Sequence, residues 1–167
     1  MERNEFEHFR DLAADYCNLI ERFEELDWRQ TTKRLRVIIP SLMSAAMQMS
    51  DASPTDNDAP STVTNEQWSE RFSAVEATLS ERGSYWTAAD VFVSSEPEVV
   101  NLPIADDLAD IWRDLRNGLN RLEAGGQLSD IVWEWRFLFD VHWGAHAAEA
   151  IRALHAVATS TDAAQNI

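Results

Sequence analysis

Two histidines and a row of aspartates are the side chains of this sequence best placed by spacing to do chemistry. His142 and His146 stand four apart in "WEWRFLFDVHWGAH" (133–146), and Glu149 follows in the next turn. On a helix turning about 100° per residue these three fall within a wedge of about 60°, following from the face that carries Ile131 and Trp135. A His-x3-His spacing turns both rings to one side, the arrangement used by helical metal sites. The signature is incomplete, because no Glu directly follows the first His and the HExxH pattern is absent. His142, His146 and Glu149 would therefore need ligands from another helix to hold a metal. The default alternative is two partly buried histidines bonded to nearby carboxylates.

A neighbouring segment offers such carboxylates. Asp107, Asp110 and Asp114 are spaced i, i+3 and i+7, flanking an apolar stripe. Aspartates in such a row repel one another unless a cation joins them. Arg136, Arg121 or a bound metal could be that cation. Arg136 projects from the same side as Trp143 and Leu154, where an unpaired charge would be costly. An Arg136–Asp bridge locking two helices is the default expectation. The sharper one is an acidic cluster holding Mg2+ and a phosphate-bearing substrate. Helical nucleotide pyrophosphatases use carboxylate rows in this general way, but their paired Glu-x-x-Glu arrangement is missing here. Asp107, Asp110, Asp114, Glu134, Arg136 and Trp143 are thus candidates for an interaction or structural network.

No other reactive pattern stands out. A Gly-x-Ser-x-Gly elbow, a P-loop and a dinucleotide fingerprint are all absent, and five glycines leave little to build one from. Cys17 is the single cysteine, which excludes an internal disulfide and zinc-finger spacing. It sits at the edge of an apolar stripe and reads as a small core residue.

The elements that would position these groups are helical. Residues 4–27 carry Phe6, Phe9, Ala13, Tyr16, Leu19, Ile20, Phe23 and Leu26 along one side. Residues 31–50 repeat the pattern around Pro40, which must kink the helix or start its second half. "SDASPTDNDAPSTVT" (50–64) has almost nothing to bury and reads as a flexible loop. Thr64 followed by Gln67 is a capping-box pattern that opens a third helix with the stripe Trp68, Phe72, Val75 and Leu79, stopping at Gly83. Residues 84–103 lack a sustained period and read as an ordered connection pinned by Tyr85, Trp86 and Phe92, with room for a short extended piece. A fourth helix spans about 104–123, "AGGQ" (124–127) turns, and a last helix runs from about Leu128 to Ala158. Its first half is apolar nearly all round, as in a central buried helix. Gly144 would let a neighbouring helix approach closely. The expected architecture is all-α: a single-domain bundle of about five helices over residues 1–158, with a long central C-terminal helix and a frayed tail at 159–167. No run of residues alternates as a sheet strand should.

The charge narrows the function classes. With 29 acidic and 14 basic residues the net charge is -15, which repels a phosphate backbone and an anionic membrane surface. Neither nucleic acid nor membrane is expected as a partner; a protein with a basic surface is. The longest apolar stretch, 37–49, is too short for the ~20 residues of a membrane helix. The N-terminus has no apolar leader core. A cytoplasmic location is expected, with no cofactor required beyond an optional divalent metal.

"LPIADDLADIWRDLRNGL" (102–119) followed by "VWEWRFLFDVHWGAHAAEAIRALH" (132–155) resembles the bacterial family called domain of unknown function 5063. Its pattern is an L-A-D-I-aromatic-x-D-L helix, then W-E-x-x-x-x-F-x-x-x-W-G and A-L-R-A-L-H. Asp110, Asp114, Trp133, Glu134, Phe139 (or Phe137), Trp143, Gly144, Arg152 and His155 match it. The resemblance is strongest over the C-terminal third. It implies an all-α bacterial domain and supplies no activity, and its pattern does not require His142 and His146 as a pair. The leading expectation is a non-enzymatic acidic helical interaction module, since seven tryptophans exceed what a core this size needs and Trp favours binding hot spots. A metal-dependent hydrolase of a phosphorylated small molecule and an immunity or antitoxin-like protein are the alternatives. Oligomeric state is left open.

Overall fold

The structure is a computed structural model that describes residues 3–50, 52–55, 61–89, 96 and 98–165, with side chains from Glu5 to Ser160 within those ranges. Helix α1 (Arg3–Glu21) leads through a 3-10 turn at Phe23–Glu25 into α2 (Trp28–Gln48). Helix α3 (Asn65–Leu79) precedes a hairpin of β1 (Ser84–Ala88) and β2 (Val99–Pro103). Helix α4 (Ile104–Glu123) then leads to α5 (Leu128–Leu138), a π-helical turn at Phe139–Trp143, and α6 (Gly144–Gln165). The fold is mainly helical, as the periodicity requires.

Helix α4 is the centre: it packs against α1, α3, α5 and α6. Its stripe of Ile104, Leu108, Ile111, Trp112, Leu115 and Leu119 is buried, and one core cluster joins it to Phe9, Tyr16, Ile20 and Phe23 of the N-terminal segment and to Trp135 and Trp143. Cys17 is buried in that core, where desolvation pushes its thiol far above the usual range. The bundle closes tightly where α5 crosses α4. A Cβ added to Gly118 would lie 2.3 Å from the Trp135 indole, so only glycine fits there.

Local signals set several boundaries. Gln67 and Thr64 exchange both bonds of the capping box, at 3.2 and 2.9 Å. Helix α2 begins earlier than the apolar period suggests, because Asp27 caps it by accepting from the Gln30 N–H at 2.9 Å. Pro40 lies inside α2, which continues through it. The loop expected at 50–64 is tied down at both of its described ends. The Thr55 N–H donates to Asp130 at 2.6 Å, and the Thr62 N–H to Asn117 at 2.6 Å.

Three expectations are corrected. A two-stranded antiparallel sheet exists, with Tyr85 opposite Leu102 and Trp86 opposite Asn101. Burial does alternate along both strands, but the residue types do not follow it: apolar Trp86 and Val99 face outward while polar Thr87 is half-buried, so the sequence shows no apolar period. Phe92, expected to pin this region, lies outside the described residues. The last helix extends through Gln165, past its expected end at Ala158. There the Thr159 hydroxyl donates back to the His155 carbonyl at 3.0 Å and Ser160 to Val157 at 3.1 Å, which keeps small polar residues compatible with the helix.

The third correction concerns the phase of that helix. In a uniform α-helix Trp135 and Trp143, eight residues apart, would stand about 80° out of line. The wide turn at Phe139–Trp143 absorbs the excess. Both indoles are fully buried against Phe9, and the Trp143 Nε1–H donates to the Trp135 carbonyl at 3.2 Å. Gly144 serves this turn and not a neighbouring helix. Its N–H reaches the Phe139 carbonyl five residues back, and a Cβ there would lie 2.3 Å from that oxygen. No described helix is long and apolar enough to cross a membrane.

Candidate metal centre

The aspartate row of α4 faces the histidines. Asp107, Asp110 and Asp114 are buried, at 3, 8 and 8 % exposure, which is unusual for carboxylates. Each has found polar partners. Asp114 Oδ2 lies 2.6 Å from His142 Nδ1, and Asp107 Oδ1 lies 2.9 Å from His146 Nδ1. The second oxygen of Asp107 accepts from the Tyr85 hydroxyl at 2.6 Å, a contact that brings strand β1 onto the site. Asp110 Oδ1 accepts from the Trp68 Nε1–H of α3 at 2.9 Å and from Arg113 at 2.5 Å. Its Oδ2 stands 3.4 Å from His146 Nε2.

That last separation has chemical content. It is long for an N–H···O hydrogen bond. Two ligand atoms each about 2.1 Å from a tetrahedral zinc ion stand about 3.4 Å apart. One ligand-capable atom from each of Asp110, His142 and His146 lies within 4.8 Å of the others. The two imidazoles are T-shaped, with centroids 5.0 Å apart, and they remain partly exposed at 33 and 24 %. With both Nδ1 atoms engaged by aspartates, the Nε2 atoms are the ones left for a cation. Metal-binding histidines are commonly held this way, by a carboxylate on the far ring nitrogen.

The electrostatics are those of crowded carboxylates. Burial raises the Asp114 carboxyl above its ordinary value, opposed by His142. Burial also raises Asp106, with Asp110 adding repulsion. His146 is raised, chiefly by its hydrogen bond to Asp107 and then by the charge of Asp110. Burial and the Asp107 contact hold the Tyr85 phenol protonated well beyond its normal range, so it acts as a donor to Asp107. A divalent cation would relieve this accumulation of negative charge.

The other candidates go elsewhere. Glu149 accepts from Thr87 at 3.2 Å and pairs with Arg152 at 2.9 Å, so its carboxylate is not in the converging set. Arg136 does not bridge to the aspartate row; its guanidinium donates to the Ala46 carbonyl of α2 at 2.5 Å, and its Nε is buried with no partner among the described residues. The π turn explains this, since it rotates Arg136 away from the side shared by Trp143 and Leu154. Arg121 pairs with Glu134, which also accepts from Asn117 at 2.8 Å, tying α4 to α5. Trp143 is core. Of the seven tryptophans only Trp86 is exposed, so the aromatic surplus is mostly packing. Sequence reasoning missed Tyr85, Trp68 and Arg113 as supports of the centre. Arg113 could have been found from its i+3 spacing to Asp110; the other two arrive through tertiary packing alone.

A family model matches residues 1–160. The chain belongs to the family described as a domain of unknown function, DUF5063. The family match runs across nearly the whole chain and is not concentrated in the C-terminal third. The chain is also similar to protein BF1032 from Bacteroides fragilis, known from a crystal structure. The TM-score is 0.80 at 22 % identity, with 93 % of this chain and 92 % of that one covered. The DUF5063 chain therefore shares that protein's fold. No curated protein matches it.

Proposed function

We propose that this DUF5063 protein binds one divalent transition-metal ion through Asp110, His142 and His146. The observation that carries the reading is the paired support of the histidines. Each Nδ1 is engaged by a buried aspartate of α4, while His146 Nε2 and Asp110 Oδ2 stand 3.4 Å apart. Imidazole ligands favour zinc, iron(II), cobalt or nickel over Mg2+, which prefers oxygen donors and octahedral geometry. Three protein ligands leave a coordination position for water, as in hydrolytic centres. The surrounding carboxylates make a phosphorylated substrate a poor fit and a neutral one a better fit.

The test is a thermal-melt titration of metal-free protein with Zn2+, Ni2+, Mn2+ and Mg2+, alongside His142→Ala/His146→Ala. Binding to the native state raises the melting temperature in proportion to the logarithm of ligand concentration. A rise with Zn2+ or Ni2+ that follows this logarithmic dependence, and that the double variant loses, supports the centre. A flat response to all four ions would leave the histidines as structural partners of the aspartates.

A further inference from the structure

We infer that the N-terminal half of α2 is a docking surface for a short acidic segment of a partner protein. Arg29, Lys33 and Arg36 are spaced i, i+4 and i+7 and so share one face of the helix, with Arg34 beside them. No Asp or Glu occurs anywhere from Trp28 to Ser50. In a chain of net charge -15 this is a local reversal of sign.

The positive charge is left uncompensated. Seven arginines elsewhere (Arg10, Arg22, Arg71, Arg113, Arg116, Arg121 and Arg152) each pair with a carboxylate. Among the described residues, Arg29, Lys33, Arg34 and Arg36 have no such pair, nor does Arg82, which approaches from the turn after α3. Three of them are nevertheless held in place. The guanidinium of Arg29 lies 4.6 Å and that of Arg82 5.4 Å from the centre of the Trp28 ring, so one indole positions two like charges. Arg36 donates to His155 Nδ1 of α6 at 2.9 Å, which fixes its direction along the surface. Val37, 67 % exposed, adds an apolar contact beside the cations.

Size and charge select the occupant. From Arg29 to Arg36 the stripe covers about two helical turns, roughly 10 Å. That suits a few acidic side chains. A long polyanion would meet the strongly acidic remainder of the chain and be repelled. The surface therefore complements an acidic peptide, the reverse of the basic partner that net charge alone suggests.

The experiment measures fluorescence anisotropy of a labelled peptide of alternating Glu and Leu, in low salt, with the full chain. The expected result is saturable binding that weakens at least about tenfold at high salt, where exposed charges are screened. The variant Arg29→Gln/Lys33→Gln/Arg36→Gln, checked by its melting temperature to be folded, should lose it to a similar degree. These side chains lie away from the proposed metal ligands, so metal titration and peptide binding fail independently. No anisotropy change, or equal binding by the variant, overturns the proposal. So does equal affinity for a thymidine oligonucleotide of matched charge. Salt-reversible dimers seen by sedimentation in the wild type but not in the variant would also overturn it, by assigning the stripe to a second copy of this chain.

Discussion

The ring of His146 spans two aspartates one turn apart on α4: Nδ1 lies 2.9 Å from Asp107 and Nε2 lies 3.4 Å from Asp110. The shorter contact orients the ring and the longer one leaves room for an ion. Asp107 thus acts through His146. Asp107→Asn should weaken Zn2+ binding about 10–100-fold, the usual cost of removing the carboxylate behind a metal-bound histidine. Isothermal titration with Zn2+ measures this, and the folded fraction by circular dichroism serves as the control. Unchanged affinity would separate Asp107 from the centre.

Tyr85 stands one contact further out. Its hydroxyl donates to Asp107 at 2.6 Å from strand β1, with the Arg152 guanidinium 5.3 Å from the centre of its ring. Tyr85→Phe should cost about 1–3 kcal/mol in chemical denaturation, because a buried carboxylate loses a donor. It should weaken Zn2+ binding less than Asp107→Asn does. A larger effect on the metal than that of Asp107→Asn would contradict this order.

Metal-free protein should lose stability as pH rises from about 6. The His146 pKa is raised above its ordinary 6.5, first by the hydrogen bond to Asp107 and also by Asp110, Asp107 and Asp106. A raised histidine contributes its full stabilisation below the unfolded value near 6.5. That contribution is lost as pH climbs through the higher folded value. Added Zn2+ should reverse the trend, since the ion requires the neutral ring. Melting curves with and without EDTA across pH 6–9 read both slopes; parallel slopes would count against a metal at this ring.

Gly144→Ala should break the π turn. The new Cβ would meet the Phe139 carbonyl at 2.3 Å, and backbone cannot move aside as a side-chain tip can. The turn sets the phase of His142 relative to Trp135, so the expected result is a lower melting temperature together with weaker Zn2+ binding. Alanine should instead stabilise an ordinary exposed helix position by about 1 kcal/mol. A stabilised variant would show that the turn is not needed.

Gly118→Ala tests the core without touching the centre. The Trp135 indole that its Cβ would strike is fully buried and has nowhere to go. Overpacking of this kind costs about 1–3 kcal/mol. Urea denaturation should show the loss, while Zn2+ affinity per folded molecule stays unchanged.

Much of this molecule was written into local pattern. The stripe of α4, the Thr64–Gln67 capping box and the His142–His146 spacing each depend on residues within a few turns of one another. Side-chain period and cap chemistry are local, so sequence alone determined the helices and the two faces that carry the site. Which residues those faces meet is a matter of how helices cross. Only the tertiary structure decided that the aspartate row would face the histidines and not Arg136. The reason is the π turn at Phe139–Trp143, which shifts the helix phase by an amount no uniform wheel contains. The hairpin shows the same limit: its burial alternates, but with Trp86 and Val99 outward and Thr87 inward the residue types hide the period, yet it delivers Tyr85 to Asp107. Net charge hides local charge too, because a total of -15 averages away the run of Arg29, Lys33, Arg34 and Arg36 on α2. Sequence sums charge along the chain, whereas a partner meets it as the fold arranges it in space.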